Sequence, residues 1–227
     1  MGNFPPNSSQ GIYETLQREI LDLQLKPGQQ LSENELCTRF GVSRTPVRSV
    51  LQRLKEAGLV DVVPYKGTSV TLLSMDEIQQ RIYMRVAIES MVLRDFIDCC
   101  TPILLEKVRY IIRKQTVLLE NDFDSSQFYQ LDSQLHEVWF RTTHKELLWQ
   151  TIQKSQVNYT RFRMLDIVAV QNYREIVAEH QELFEIIESK NKDAVESWVK
   201  KHMYGGIYRL GDRIHTEFKE YFQPENH

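Results

Sequence analysis

Apolar residues recur along most of the chain at intervals of three and four, the spacing that gathers them on one face of an α-helix. Ile12, Leu16, Ile20, Leu23 and Leu25 make the first such stripe, and residues up to about Gln10 precede it as a tail. Lys26-Pro27-Gly28 then ends the helix, since proline cannot continue it and glycine favours a turn. Leu31-Ser32-Glu33-Asn34-Glu35-Leu36 has the layout of a capping box, with Ser32 and Glu35 serving each other's backbone donors. It predicts a short helix to about Phe40 that stops at Gly41. A longer helix follows, with Val47, Val50, Leu51 and Leu54 on one stripe and Arg44, Thr45, Arg48, Ser49 and Gln52 fanned over the other side. Ser43 is its expected N-cap through the hydroxyl, and Pro46 falls in the first turn, where a missing N–H costs nothing. The period then shortens. Leu59-Val60-Asp61-Val62-Val63 and Thr68-Ser69-Val70-Thr71-Leu72 are β-branched runs on either side of Pro64-Tyr65-Lys66-Gly67, which predicts a hairpin.

Beyond Leu73 the pattern is helical throughout, with expected helices at about 75–98, 102–120, 125–142, 145–164, 173–189 and 193–220. Ser74 is a plausible N-cap for the first of them, Thr101-Pro102 restarts the second, and Asn121-Asp122 and Asn191-Lys192-Asp193 mark breaks. Six helices with short joints indicate an all-α bundle. The chain therefore reads as mainly α: an N-terminal winged helix-turn-helix domain over 1–73 and a C-terminal helical bundle over 74–227, joined by a short linker.

Composition narrows the class. At 227 residues the chain is long enough for two modest cores. No apolar run approaches the ~20 residues needed to span a bilayer, and Met1-Gly2-Asn3-Phe4-Pro5-Pro6 lacks the regions of a signal peptide, so a cytoplasmic protein without membrane contact is expected. Cys37, Cys99 and Cys100 have neither disulfide nor zinc-finger spacing, and reduced thiols are expected. A net charge of −3 excludes a protein that is basic all over. Nucleic-acid binding must rest on a local patch, and one exists: from Arg39 to Lys66, Arg39, Arg44, Arg48, Arg53, Lys55 and Lys66 oppose only Glu56 and Asp61.

A short capped helix, a glycine turn and a helix with two arginines one turn apart at its start make a helix-turn-helix, whose second helix can enter the DNA major groove. Arg44 and Arg48 would there reach guanine edges or phosphates. An ordinary packed helix pair with a solvated basic face has the same spacing, but the hairpin that follows completes the winged form. Pro27-Gly28, Leu31, Glu35-Leu36, the run Val42 to Arg48, Leu54, Gly58-Leu59-Val60 and Lys66-Gly67 together resemble the N-terminal domain of GntR-family transcriptional regulators. That resemblance covers about a third of the chain and implies that Ser43, Arg44, Thr45 and Arg48 contact operator DNA in or beside the major groove. It also implies that Lys66 and Gly67 approach the minor groove. Asn34 departs from it, standing where relatives often carry an arginine that touches DNA.

In the second domain the informative residues are polar ones on apolar faces. Asp132 and His136 are i and i+4 at the edge of the stripe Phe128, Leu131, Leu135, Val138 and Trp139. His180 lies among Ile176, Val177, Leu183, Phe184 and Ile187, and His202 among Val195, Trp198, Val199 and Met203. A single such histidine is usually a core residue bonded to a carbonyl. Three with a carboxylate at ligand spacing suit a divalent ion such as zinc, nickel, manganese or iron, with room for a water or an effector oxygen. His144, His215 and His227 fit no stripe. The set Asp132, His136, His180 and His202 is similar to the metal ligands of the FCD domain, the helical ligand-binding bundle of the FadR-like subgroup, over about residues 75–222. Thr143-His144-Lys145 departs from that pattern in a loop.

Arg85 and Glu89 form another i, i+4 pair, centred in the stripe Ile78, Ile82, Val92, Leu93 and Phe96. Two readings are open: an internal ion pair, or Arg85 directed into a pocket to grip a carboxylate effector by a two-pronged hydrogen bond. Asn158, Tyr159, Arg161 and Arg163 could line the same pocket, although a solvated face is expected for most of them. The favoured function is a homodimeric transcriptional regulator on a palindromic operator, controlled by a small organic acid bound beside the metal. The alternatives are a metal-dependent hydrolase or isomerase using the Asp/His cluster, which lacks an identifiable catalytic partner, and an adaptor that binds proteins.

Overall fold

The computed structural model describes residues 4–154 and 157–224. The chain divides into two compact units, one of residues Met1–Met75 with Asp212–His227 and one of Asp76–Gly211. In the first, α1 (Ser9–Leu21), α2 (Glu33–Phe40) and α3 (Arg44–Glu56) enclose a core of Ile12, Leu16, Ile20, Leu36, Val47, Val50, Leu51 and Leu54. These are the residues of the apolar stripes. The tail ends earlier than expected, because the Ser8 hydroxyl accepts from Gly11 N and starts α1 at Ser9. Gly41 ends α2 at φ 65°, a left-handed conformation suited to glycine. Ser32 caps α2 as expected, but the Ser43 hydroxyl makes no cap bond to α3, so that part of the expectation is corrected. Ser43 still has extended cap backbone, and its side chain stays exposed.

The hairpin is present as β2 (Val60–Val63) and β3 (Gly67–Val70), with Val60 opposite Val70 and Val63 opposite Gly67. A third strand, β1 (Gln30–Leu31), pairs antiparallel with β3, giving the order β1-β3-β2. Two residues are too few to show alternation, so this strand has no sequence signal. Tyr65 and Gly67 make the turn at positive φ, 63° and 98°.

The second unit consists of α4 (Met75–Cys99), whose first residue belongs to the other unit, α5 (Pro102–Leu118), α6 (Ser125–Thr142), α7 (Glu146–Lys154), α8 (Val157–Leu165), α9 (Tyr173–Glu188) and α10 (Val195–Leu210). Thr101 caps α5 ahead of Pro102, and Asp124 with Gln127 forms a capping box on α6. The expected helix 145–164 is described as two, α7 and α8; residues 155 and 156 lie outside the described residues. A π-helical segment, Asp166–Val170, continues α8 and ends at Gln171 with φ 55°.

The largest correction is at the C-terminus. A helix over 193–220 is expected, yet α10 stops at Leu210 because Gly211 adopts φ 48°, ψ −132°, which a side chain would disfavour. Short 3-10 turns follow, and the chain then pairs in parallel with Leu73: Leu73 N donates to Tyr221 O at 2.8 Å and Gln223 N to Leu73 O at 2.8 Å. The segment from Asp212 on thus packs with the winged unit rather than with the bundle to which 74–227 was assigned. Cys37, Cys99 and Cys100 are free thiols, and no described helix is long and apolar enough to cross a membrane.

Candidate functional sites

On the winged unit, burial of Val47, Val50, Leu51 and Leu54 turns the opposite face of α3 outward. Ser43, Arg44, Thr45 and Arg48 are all exposed there, as are Lys66 and Gly67 at the hairpin turn. Neighbours on α2 steady both arginines. Arg44 Nη2 donates to Asn34 Oδ1 at 3.0 Å, and Arg48 Nε donates to the Glu33 carboxylate at 3.0 and 3.1 Å. Asn34, the residue that departs from the family pattern, therefore orients Arg44. Tyr65 beside Lys66 is fully exposed, and Val62 and Val63 are 38% and 42% exposed. The wing tip is thus aromatic and apolar as well as basic.

In the bundle, α6 supplies Asp132 and His136, α9 supplies His180 and α10 supplies His202. All four are buried, and one ligand atom from each lies within 4.8 Å of the others. Each imidazole is fixed from behind. His136 Nδ1 donates to Glu89 Oε2 at 2.6 Å, His202 Nδ1 to Glu179 Oε2 at 2.6 Å and His180 Nδ1 to Gln115 Oε1 at 2.8 Å. An ionised carboxylate can only accept, so Nδ1 carries the proton and a neutral ring presents a bare Nε2 to the centre. The carboxylates are anchored in turn: Arg85 Nε donates to Glu89 Oε1 at 2.6 Å, and Arg209 donates to Glu179 at 3.2 Å and to Asp166 at 2.8 Å. Gly206 lets Phe162 and Asp166 approach α10, since a β-carbon there would lie 3.1 Å from Phe162.

The electrostatics suit a cation. Burial lowers the His202 imidazole well below its ordinary value, reinforced by His180 and His136, and burial also lowers His180, so both rings favour the neutral form that binds metals. Burial alone would raise Asp132, but the Arg163 guanidinium, with His180 and His136 close by, holds it well below the usual carboxylate range. Burial opposes ionisation of Glu89 too, yet Arg85 and His136 bring it down to about 2. Two observations then test the fit of an ion. His136 Nε2 and His202 Nε2 face each other at 3.3 Å, and His180 Nε2 lies 3.4 Å from Asp132 Oδ1 without hydrogen-bonding geometry and with no other partner. Facing lone pairs and an orphaned buried nitrogen are costly without a shared positive centre. The donor set, three imidazoles and one carboxylate, fits a divalent ion.

Arg85 is buried in an ion pair, so the internal-pair reading of the sequence is realised, and its guanidinium also lies over Tyr159 at 4.9 Å. The solvated face expected for α8 is not found. Tyr159, Arg161 and Arg163 are buried and Asn158 is half-buried, because α8 is enclosed on nearly all sides. Arg163 Nη1 and Nη2 donate to both oxygens of Asp132 at 2.8 and 3.0 Å, and Arg161 Nη2 donates to Asn158 at 2.6 Å. Sequence reasoning missed Gln115, Glu179 and Arg209. Gln115 carried a signal, since it continues the α5 stripe of Val108, Ile111 and Ile112, and Arg209 lies two turns after His202 on the same face.

Comparison with known proteins gives the family. Residues 8–70 match the family described as bacterial regulatory proteins, gntR family, and residues 81–205 match the FCD domain. The chain is 29% identical over 223 residues to an uncharacterized HTH-type transcriptional regulator, YdfH, of Escherichia coli O6:H1, covering 98% of this chain and 97% of that one. It is 29% identical over 217 residues to the HTH-type transcriptional repressor RspR of Escherichia coli strain K12, covering 96% and 94%. The solved structure of E. coli McbR/YncC shares the fold at a TM-score of 0.67 with 20% identity, covering 90% of this chain and 97% of that one. With a GntR winged helix-turn-helix ahead of an FCD domain, the chain belongs to the GntR family and is a DNA-binding transcriptional regulator, not a hydrolase or isomerase.

Proposed function

We propose that this regulator is of the FadR-like subgroup and acts in the cytoplasm as a homodimer on a palindromic operator, under control of a small carboxylate effector bound beside a divalent metal. The observation that carries the reading is the convergence of Asp132, His136, His180 and His202 within 4.8 Å, each imidazole tautomer set by an acceptor on Nδ1. Those four residues would hold the metal, whether zinc, nickel, manganese or iron. When bound, the ion supplies a buried positive centre beside which a carboxylate can lose water without being left unpaired. Arg85 contributes its Nη groups to the effector while Glu89 keeps its Nε. Ser43, Arg44, Thr45 and Arg48 read the major groove, and Lys66 and Gly67 follow the minor groove. A two-fold dimer matches two half-sites.

Elemental analysis of the untagged protein, purified without chelator, tests the metal. About one zinc, nickel, manganese or iron per chain is expected, and less than a tenth of that, with no uptake on adding the ions, would sink the site. Operator affinity measured with and without the metal and candidate acids then tests control. By linkage, DNA must change effector affinity by the same factor as effector changes DNA affinity.

A further inference from the structure

The two arginines on the outward face of α3 are held by chemically different partners. Arg44 Nη2 donates to the amide oxygen of Asn34 at 3.0 Å, so this side chain keeps its whole charge. Arg48 Nε donates to both oxygens of Glu33, at 3.0 and 3.1 Å, and the pair carries no net charge. Both partners stand in the first turn of α2, next to each other in sequence.

The Arg48–Glu33 pair does little for the fold. Its side chains are 65% and 34% exposed, and an ion pair in that setting is screened by water and salt and adds little stability. Its effect falls on what Arg48 can bind. A phosphate attracts a guanidinium through charge, and a carboxylate in contact with the guanidinium cancels much of that attraction. A guanine edge attracts it through direction, because O6 and N7 accept two parallel hydrogen bonds from one edge of the fork. Glu33 occupies the Nε position, and the end of the fork, Nη1 with Nη2, is the edge that can meet a base. Glu33 also brings a carboxylate to the face that carries Arg48, where it repels any phosphate that comes within a screening length of about 8 Å. On a matching sequence the base contact offsets that repulsion, and on other sequences nothing does.

We propose that Glu33 is a positioning residue that sets sequence discrimination: by neutralising Arg48 and fixing its Nε, it makes that arginine a reader of bases with little hold on phosphate. Arg44, steadied by a neutral amide, keeps its full charge for the DNA. The proposal rests on the reading of α3 as the major-groove helix and adds that an acidic side chain of α2, which need not touch DNA, decides how strictly α3 reads.

The test uses the full-length protein and two duplexes of equal composition, one selected by the wild type from a random-sequence pool and one scrambled. Glu33→Gln keeps the shape and removes the charge. It is expected to bind the scrambled duplex at least threefold more tightly, with a salt slope steeper by up to about one unit per chain, and the selected duplex no more tightly than wild type does. The ratio of the two affinities then falls at least threefold. A smaller fall, including the case in which both duplexes gain alike, would overturn the proposal. Glu33→Asp keeps the charge but is one methylene short of Arg48, so it should hold the scrambled duplex within twofold of wild type and lose at least threefold on the selected one. Scrambled binding raised in Glu33→Asp as in Glu33→Gln would show that charge is not the cause and would equally overturn it. Arg48→Ala separates the two levels of the argument. If Arg48→Ala keeps the wild-type ratio, the groove assignment falls and the role of Glu33 with it; if Arg48→Ala loses the ratio while Glu33→Gln keeps it, the role of Glu33 alone falls.

Discussion

Single residues here work through the partner behind them. Arg44 and Arg48 reach outward from α3, but Asn34 and Glu33 on α2 set their directions. Replacing either arginine by alanine removes no core contact, so the bundle should keep its thermal midpoint while specific operator binding is lost. A base contact is worth ~1–3 kcal/mol of discrimination, whereas losing a phosphate contact weakens all sequences alike. Titrations of operator and scrambled duplexes distinguish the two, and wild-type affinity in both mutants would remove α3 from the groove. The same logic holds in the bundle. Among the described residues Glu179 hydrogen-bonds no member of the cluster but His202, yet it fixes that ring's tautomer. Glu179→Gln can present an N–H instead of an acceptor, and metal affinity should fall by roughly 10–100-fold, the usual effect of losing an outer-shell partner. Competition with a chromophoric chelator measures it, and an unchanged affinity would mean that Arg209 and Glu179 serve packing alone.

At the level of elements, the wing is the cleanest case. Val60–Val63 and Gly67–Val70 pair as the hairpin that the β-branched runs predict, and the turn carries Lys66 into solvent. Lys66→Ala should reduce the slope of log affinity against log salt by up to about one unit and leave sequence discrimination intact. An unchanged slope would take the wing out of the interface. The elements legible in the sequence were those whose burial is one-sided: α1, α3 and α4 appear because their stripes face a core and their other sides face water. The metal-type cluster was legible for a related reason, since a histidine or aspartate interrupting such a stripe stands out. What was not legible lacks that contrast. α8 is buried nearly all round, so its arginines looked like a solvated face. The end of α10 was hidden because Gly205, Gly206 and Gly211 look alike in sequence, and only Gly211 adopts a conformation that stops the helix. Arg163 and Glu179 act across helices, and no spacing along one helix reveals a partner on another.

On the scale of the whole molecule, the bundle is inserted into the winged unit: the chain leaves that unit after Met75 and returns to it at Asp212. Both crossings adjoin elements of the site. α4 carries Arg85 and Glu89, and α10 carries His202 and Arg209 shortly before Gly211. Inside the winged unit, the returning segment pairs with Leu73, the residue just before α4, and buries Ile214, Phe218 and Phe222. The two stretches of chain that lead into and out of the bundle are thus joined, within the winged unit, by one backbone pairing. Phe222→Ala should destabilise the winged unit by about 3 kcal/mol, in line with large-to-small changes of buried aromatics. It should also reduce the factor by which metal loading alters operator affinity, while metal content stays at the wild-type level. Calorimetric unfolding and operator titrations of the metal-free and metal-loaded protein give both quantities. A variant that loses stability but keeps the full metal-dependent factor would show that the C-terminal segment only braces the fold, leaving the α4 crossing as the route of the signal.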